Sequence, residues 1–257
     1  MSAFEKGIVV ISIDDGRYDS YRLYRLLSQY KISATFNIVT SRIGTEGYLS
    51  LDELRQIYED PLMEIACHGH THKNEDEDIM LGNQHLFGWL GEGDGRIGFA
   101  SPGSGMNKDY IVANEEKLRK MGLIYVRSAT NYEPNERHVE LHRSLKEKGA
   151  SGEVLQNVSQ LIYSFSDMFV PSAVVYHDTS VEVLKALADI AAEEHACLVF
   201  MFHRVRKPGE DEWDSLWCYD FDKTEEFLRY LKQKQEDGEI KSMTTRAAYE
   251  SDAVCNK

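Results

Sequence analysis

The sequence predicts an α/β protein built around a parallel sheet, and three observations carry that prediction. Short apolar runs alternate with segments of helical periodicity, no Pro- or Ser-rich linker interrupts the alternation, and titratable residues recur where the apolar runs stop. Near-continuous apolar strands with helices between them imply repeated βα units and a parallel sheet covered on its faces, open or closed into a barrel. Functional groups in such a sheet collect at the C-terminal strand ends.

Taken in order, strands are expected at Ile8 to Ile13, Ala34 to Val39, Met63 to Cys67, Ile97 to Ala100, Ile124 to Val126, Ala173 to Tyr176 and Cys197 to Phe202. Helical patterns fall at Tyr18 to Tyr30, Leu51 to Tyr58, Ile111 to Met121, Val181 to Glu194 and Thr224 to Gln235. The polar stretch from Glu133 to Gly152 reads as a local insertion of loop plus helix. The whole chain, 1–257, is therefore expected to be one domain; 257 residues at 42% hydrophobic content suffice for a full core.

Charge and cysteine usage narrow the partners. Forty-three acidic residues against 29 basic give a formal charge of -14, which argues against a nucleic-acid groove and against an anionic membrane surface. Met1 to Lys6 lacks the pattern of a signal peptide, and no stretch approaches the length of a membrane span, so a soluble cytoplasmic protein is expected. Cys67, Cys197, Cys218 and Cys255 have no CxxC spacing and are expected to be reduced structural thiols.

Four stretches concentrate the chemistry. "ISIDDGRYDSY" ends an apolar strand in Asp14 and Asp15, two adjacent carboxylates that repel unless a cation or an acid/base task justifies them. Neighbouring strand residues point to opposite faces, so both reach one centre only if the chain turns sharply, which Gly16 permits. "EIACHGHTHKN" places His68, His70 and His72 just after another strand. His68 and His72, spaced i, i+4, share one face of a helical turn and can give a divalent metal two nitrogens; in an extended chain all three would share a face. One aspartate of the Asp14 and Asp15 pair would complete a His/His/Asp set with positions left open for water and substrate. In "IGFASPGSGMN" the Gly98 to Gly105 loop exposes backbone N–H groups that can stabilise an oxyanion, and "ACLVFMFHRV" delivers His203 at a strand end, placed to shuttle protons. "SAVVYHDTS" offers His177 and Asp178 in the same way.

Read together, IDDG, HGHTH after an E-I-A strand, F-A-S-P-G and V-F-M-F-H resemble the polysaccharide deacetylases, the NodB-homology or family 4 carbohydrate esterases, over roughly residues 7 to 250. The resemblance implies a distorted (β/α) barrel of about seven parallel strands that removes N- or O-acetyl groups with a divalent metal. That metal is expected to be Zn2+, with Co2+, Ni2+ or Mn2+ as the other choices. By position it makes Asp14 the general base, Asp15, His68 and His72 the metal ligands, and His203, in its protonated form, the general acid that gives a proton to the leaving amine. His203 takes that role ahead of His177 because Phe221 to Gln235 and "IKSMTTRAAYE" look like the closing helix, strand and helix of the family. A backbone N–H near Gly103 would help hold the oxyanion, and Trp213, Trp217 and Tyr219 are expected at the mouth, where they would stack on a sugar ring.

Two departures from the family pattern stand out. Ala100 replaces the arginine of R-x-P-x-G, and the aspartate-rich D-x-x-D-W motif is absent, "LIYVRSATNY" standing about where it should be. Arg127 of that stretch is expected to supply the missing cation to the catalytic aspartate. His70 is assigned to the second shell or the loop, and His85, His138, His142 and His195 are given no role. The activity implied is deacetylation of an acetylated amino sugar or glycan precursor, in surface polysaccharide or O-antigen biosynthesis. The other readings are a metal-dependent amidohydrolase acting on a small non-sugar C–N bond and a catalytically inactive carbohydrate-binding protein.

Overall fold

Gly7–Ile13 is apolar apart from Ser12, and it forms a strand (β1) buried along its whole length. In the computed structural model, which describes residues 4–91, 93–130, 136–148 and 160–255, β1 is the strand on which the barrel closes. Parallel strands β2 (Ala34–Ile38), β3 (Met63–Cys67), β4 (Ile97–Ala100), β5 (Leu123–Ala129), β6 (Phe169–Val174) and β7 (Cys197–Phe202) follow in that spatial order. The β7 strand then pairs with β1 from Ile8 against Cys197 to Ile13 against Phe202, which closes a seven-stranded parallel barrel.

The barrel is distorted at one seam. Only the upper part of β1, Ile11 to Ile13, pairs with β2, while its lower part, Gly7 to Val9, pairs with Ile240–Ser242, a short strand near the C-terminus. Two short strands, β8 (Arg204–Arg206) and β9 (Cys218–Asp220), pair with each other beside the barrel, so Ile240–Ser242 is β10.

Alternation along each strand divides two apolar layers. Ile11, Ile13, Phe36, Ile38, Ile65 and Cys67 face the helices, and Ile8, Val10, Tyr125 and Val199 fill the barrel interior. The covering helices are α1 (Asp19–Tyr30), α2 (Leu51–Glu59), α3 (Asp76–Leu90), α4 (Lys108–Ala113), α5 (Glu115–Lys120), α6 (Glu136–Glu147), α7 (Val181–Glu193), α8 (Phe221–Glu236) and α9 (Thr245–Cys255). Local chemistry sets their starts: Ser50 and Glu53 form a reciprocal capping box on α2, and Ser180 and Asp220 cap α7 and α8 with side-chain oxygens.

Two expectations shift. The helix expected over Ile111 to Met121 is two helices broken at Asn114, whose amide donates to the Tyr110 carbonyl at 2.8 Å and competes with helix continuation. The sixth strand starts earlier than Ala173, because Phe169 to Ser172 find register partners on β5 despite Pro171. Helix α6 lies within the expected polar insertion, whose remaining residues 133–135 and 149–152 fall outside those described, as do the side chains of His138, His142 and Cys255. Cys67, Cys197 and Cys218 are buried free thiols, and no described helix is long and apolar enough to cross a membrane.

Candidate active site

The upper mouth of the barrel is assembled by turns that the strand ends cannot make with ordinary backbone angles. Asp15, directly after β1, has φ of 76° and Gly16 has 68°; the pair of left-handed residues redirects the chain so that both aspartates line one cleft. After β3 the HGHTH segment is neither helix nor strand. It is a loop folded around Asp78 of α3, whose carboxylate accepts from the Thr71 N–H at 2.9 Å and the Lys73 N–H at 3.1 Å. Gly69 belongs to that construction, since a Cβ there would lie 2.6 Å from the Asp78 carboxylate. His72 is held at φ of 68°, so the expected helical i, i+4 geometry is replaced by a strained turn that brings the two rings edge to face, 4.7 Å apart.

His70 turns away from the cleft, bonding through Nδ1 to Thr40 Oγ1 at 2.9 Å and stacking on His85 at 4.7 Å, which makes it a loop-fixing residue.

One ligand atom each from Asp15, His68 and His72 lies within 4.8 Å of the others, a spacing suited to a single cation. The buried His68 donates from Nδ1 to the Ala100 carbonyl at 2.7 Å, which fixes its tautomer and aims Nε2 at the cluster. Asp15 and His72 are only partly buried, so one side of the set faces the cleft. The donor set therefore fits a divalent metal with open positions for water and substrate.

Asp14 sits beneath this cluster, buried, with Oδ2 at 3.8 Å from His68 Nε2 and 3.9 Å from His203 Nε2. Arg127 reaches it from β5: one guanidinium nitrogen donates to Asp14 Oδ1 and the other points at the Met201 sulfur. Burial pushes the Asp14 carboxyl up, but Arg127, with His68 and His203, outweighs it and holds the group well below its ordinary range. Asn37 on β2, which sequence reasoning missed, donates to Asp14 Oδ1 at 2.8 Å and to Ser12 Oγ at 2.8 Å, fixing the carboxylate from the other side. A buried Asn next to strand-end Asp14 in the register is visible only once β1 and β2 are paired.

His203 follows β7 and lines the same cleft, its ring 4.6 Å from Trp217. Burial holds His203 below the ordinary histidine value despite Asp14 and Asp15, so its resting form at neutral pH is neutral. Gly103 lies on the cleft wall at φ of 57° between two turn bonds, Ser104 N–H to the Ser101 carbonyl at 3.0 Å and Gly105 N–H to the Pro102 carbonyl at 3.1 Å. His177 is not among the lining residues; its Nδ1 is 3.1 Å from the Cys218 carbonyl.

Of the three aromatic residues expected at the mouth, only Trp217 lines the cleft, 43% exposed and 5.3 Å from Tyr176. Tyr219 is buried against Phe202 in the core, because alternation along β9 turns it inward. Trp213 packs on His177 at 4.9 Å and donates to Asp220, a position set by the loop before β9 and away from the cleft. The cleft itself has a volume of about 1430 Å³, sufficient for a saccharide.

Comparison with known proteins agrees with the motif resemblance. Residues 2–122 match the family described as polysaccharide deacetylase. No curated protein matches the chain. Among solved structures, the fold is similar to that of the Bc1960 peptidoglycan N-acetylglucosamine deacetylase, with a TM-score of 0.52 at 13% identity over 97% of this chain and 91% of that one. A mutant of BA3943, a CE4 family pseudoenzyme with restored enzymatic activity, gives a TM-score of 0.50 at 15% identity over 95% of this chain and 67% of that one. A polysaccharide deacetylase from Bacillus cereus gives 0.46 at 15% identity over 69% of this chain, which spans 50% of that protein's length.

Proposed function

We propose, from the polysaccharide deacetylase match over residues 2–122, that this chain is a metal-dependent deacetylase that hydrolyses the N-acetyl group of an amino sugar or glycan precursor. The observation that carries the reading is the convergence of Asp15, His68 and His72 on one point directly above an Asp14 held ionised by Arg127. Zinc is the metal proposed, and a cytoplasmic location and a role in surface polysaccharide synthesis belong to the same proposal.

A divalent cation bound by Asp15, His68 and His72 supplies Lewis-acid polarisation of water and of the acetyl carbonyl. The remaining work falls to the chain. Asp14 Oδ2 accepts a proton as water oxygen bonds to the carbonyl carbon, and the Gly103 N–H faces the oxyanion that forms. His203, resting neutral 3.9 Å from Asp14 Oδ2, takes that proton and delivers it to the amine nitrogen as the C–N bond breaks. Acetic acid and a free amine leave, one water proton on each, and the proton account closes with no external acid. The short relay also explains why a neutral histidine suits this position.

The first test is elemental analysis of the wild type beside His72→Ala, together with acetate release from N-acetylhexosamine substrates. Near-stoichiometric metal lost in the variant, with acetate release lost in parallel, is the expected result. A wild type that takes up neither zinc nor cobalt would sink the deacetylase reading and favour a carbohydrate-binding protein.

A further inference from the structure

The chain as a whole is strongly acidic, with a formal charge of -14, yet the wall of the cleft beside Asp15 is basic. Arg17, Arg42, Lys108 and Arg204 all line it. Two of them are matched locally: Lys108 lies 3.7 Å from Asp167, and Arg204 pairs with Glu212.

Arg17 and Arg42 are different. Both guanidinium groups stack on the ring of Tyr48, at 4.7 Å and 5.4 Å from its centroid, so one aromatic surface holds two cations together. Arg17 has no carboxylate partner among the described residues, and its buried Nε has no hydrogen-bond acceptor there. Among the described residues, the one carboxylate in ion-pair range of Arg42 is Asp15, at 3.6 Å, and that group belongs to the proposed metal set. Two clustered guanidiniums with spare donors are costly to hold in place unless an anion takes them up, and guanidinium forks match the oxygens of phosphate or carboxylate.

We infer that the acetylated sugar carries an anionic phosphate or carboxylate group, which Arg17 and Arg42 bind beside the reaction centre. The inference rests on the deacetylase reading and names its substrate class. Because Arg42 is within 3.6 Å of Asp15, the anion belongs on the reacting sugar itself or on its anomeric oxygen, not on a distant unit of a polymer. The acidic exterior then repels bulk polyanions while this one wall accepts a single charge cluster.

The test compares a neutral methyl N-acetylhexosaminide, N-acetylhexosamine 1-phosphate and an N-acetylhexosaminuronic acid, by calorimetric binding and by acetate release. Wild type, Arg17→Gln, Arg42→Gln and Arg17→Lys are measured at low and high salt. We expect one of the charged sugars to bind about tenfold tighter than the neutral one, an advantage that shrinks with salt and falls several-fold in Arg17→Gln and Arg42→Gln. Arg17→Lys, which keeps the charge and loses the fork, restores part of it. Whichever of phosphate and carboxylate loses its advantage in the glutamine variants is the group recognised. Equal affinity for all three sugars in the wild type overturns the inference, as does an advantage that survives both glutamine variants, since the anion would then sit elsewhere. Acetate release from none of the sugars overturns the deacetylase reading alone, because the binding ratios still decide the anion site.

Discussion

The barrel holds a desolvated carboxylate at each end, and the two have opposite surroundings. At the upper mouth Asp14 faces the Arg127 guanidinium and two histidines, and its carboxyl is held well below the ordinary value of 3.8. At the lower end Glu64 of β3 meets, among the described residues, neutral donors: Tyr125 Oη at 2.8 Å, Thr35 Oγ1 at 2.9 Å, the Arg246 N–H at the start of α9 at 2.9 Å and the Thr244 side chain. Burial outweighs these hydrogen bonds and pushes the Glu64 carboxyl above its ordinary 4.5. Tight packing maintains that lower layer, since a Cβ on Gly98 would lie 2.2 Å from the Tyr125 oxygen. Hydrogen bonds alone plug a barrel; a cation beside a buried carboxylate keeps it ionised and ready to take a proton.

The two ends therefore have opposite linkage to pH. Asp14, with its value depressed on folding, contributes stability that is present above 3.8 and lost as pH falls. Glu64, with its value raised, contributes stability that is present below 4.5 and lost as pH rises through the raised value.

The largest effect should come from erasing the upper charge. Asp14→Asn removes the proposed base and leaves Arg127 buried without its anion, so kcat should fall by about 10³-fold and stability by about 3–5 kcal/mol. Adding Arg127→Met should restore much of the stability, by removing the stranded cation, while leaving kcat low. Recovery of kcat in the double variant would show that Asp14 is structural, like Glu64.

Arg127→Ala asks whether the cation alone separates the two ends. Without it burial acts on Asp14 unopposed by its main partner, so the Asp14 carboxyl rises and the acid limb of kcat/KM against pH moves to higher pH. A profile that keeps its limb in place, at an unchanged rate, would remove Arg127 from the site.

How far the two ends could be read in advance differs for a physical reason. Asp14, His68 and His203 each stand directly after an apolar run, Asp15 next to the first and His72 four residues past the second, and a parallel sheet gathers C-terminal strand ends, so the upper cluster was legible from these runs. Arg127 was suggested only by the arginine absent at Ala100, because its partner lies 113 residues away and nothing local marks the pair. The lower network was silent: Glu64 looks like a polar interruption of β3, and its meaning depends on β5 and α9 arriving beneath it. Loop aromatics misled for a related reason. Trp213 and Trp217 are four residues apart in a segment whose path only tertiary contacts fix, and just one of them reaches the cleft.

At the lower end, Glu64→Gln keeps the shape and deletes the titration. The wild type should lose stability as pH rises above 4.5 through the raised Glu64 value, and the variant should show a flatter dependence over that rise, read as urea midpoints. Each unit by which folding raises the group corresponds to about 1.4 kcal/mol, which sets the scale of the flattening. Parallel slopes in the two proteins would mean that Glu64 titrates normally and that the contrast with Asp14 is false.

Tyr125→Phe tests the same end more finely. The phenol donates to Glu64 Oε1 at 2.8 Å, so its loss takes one of the donors that partly offset burial and raises the Glu64 carboxyl further. A protonated Glu64 has less need of that donor than an ionised one. The variant should therefore lose about 1 kcal/mol where Glu64 is ionised and distinctly less below pH 4.5, where it is protonated. A loss of equal size in both ranges would assign it to packing around the ring, and would leave the hydrogen bond without a part in holding the lower carboxylate.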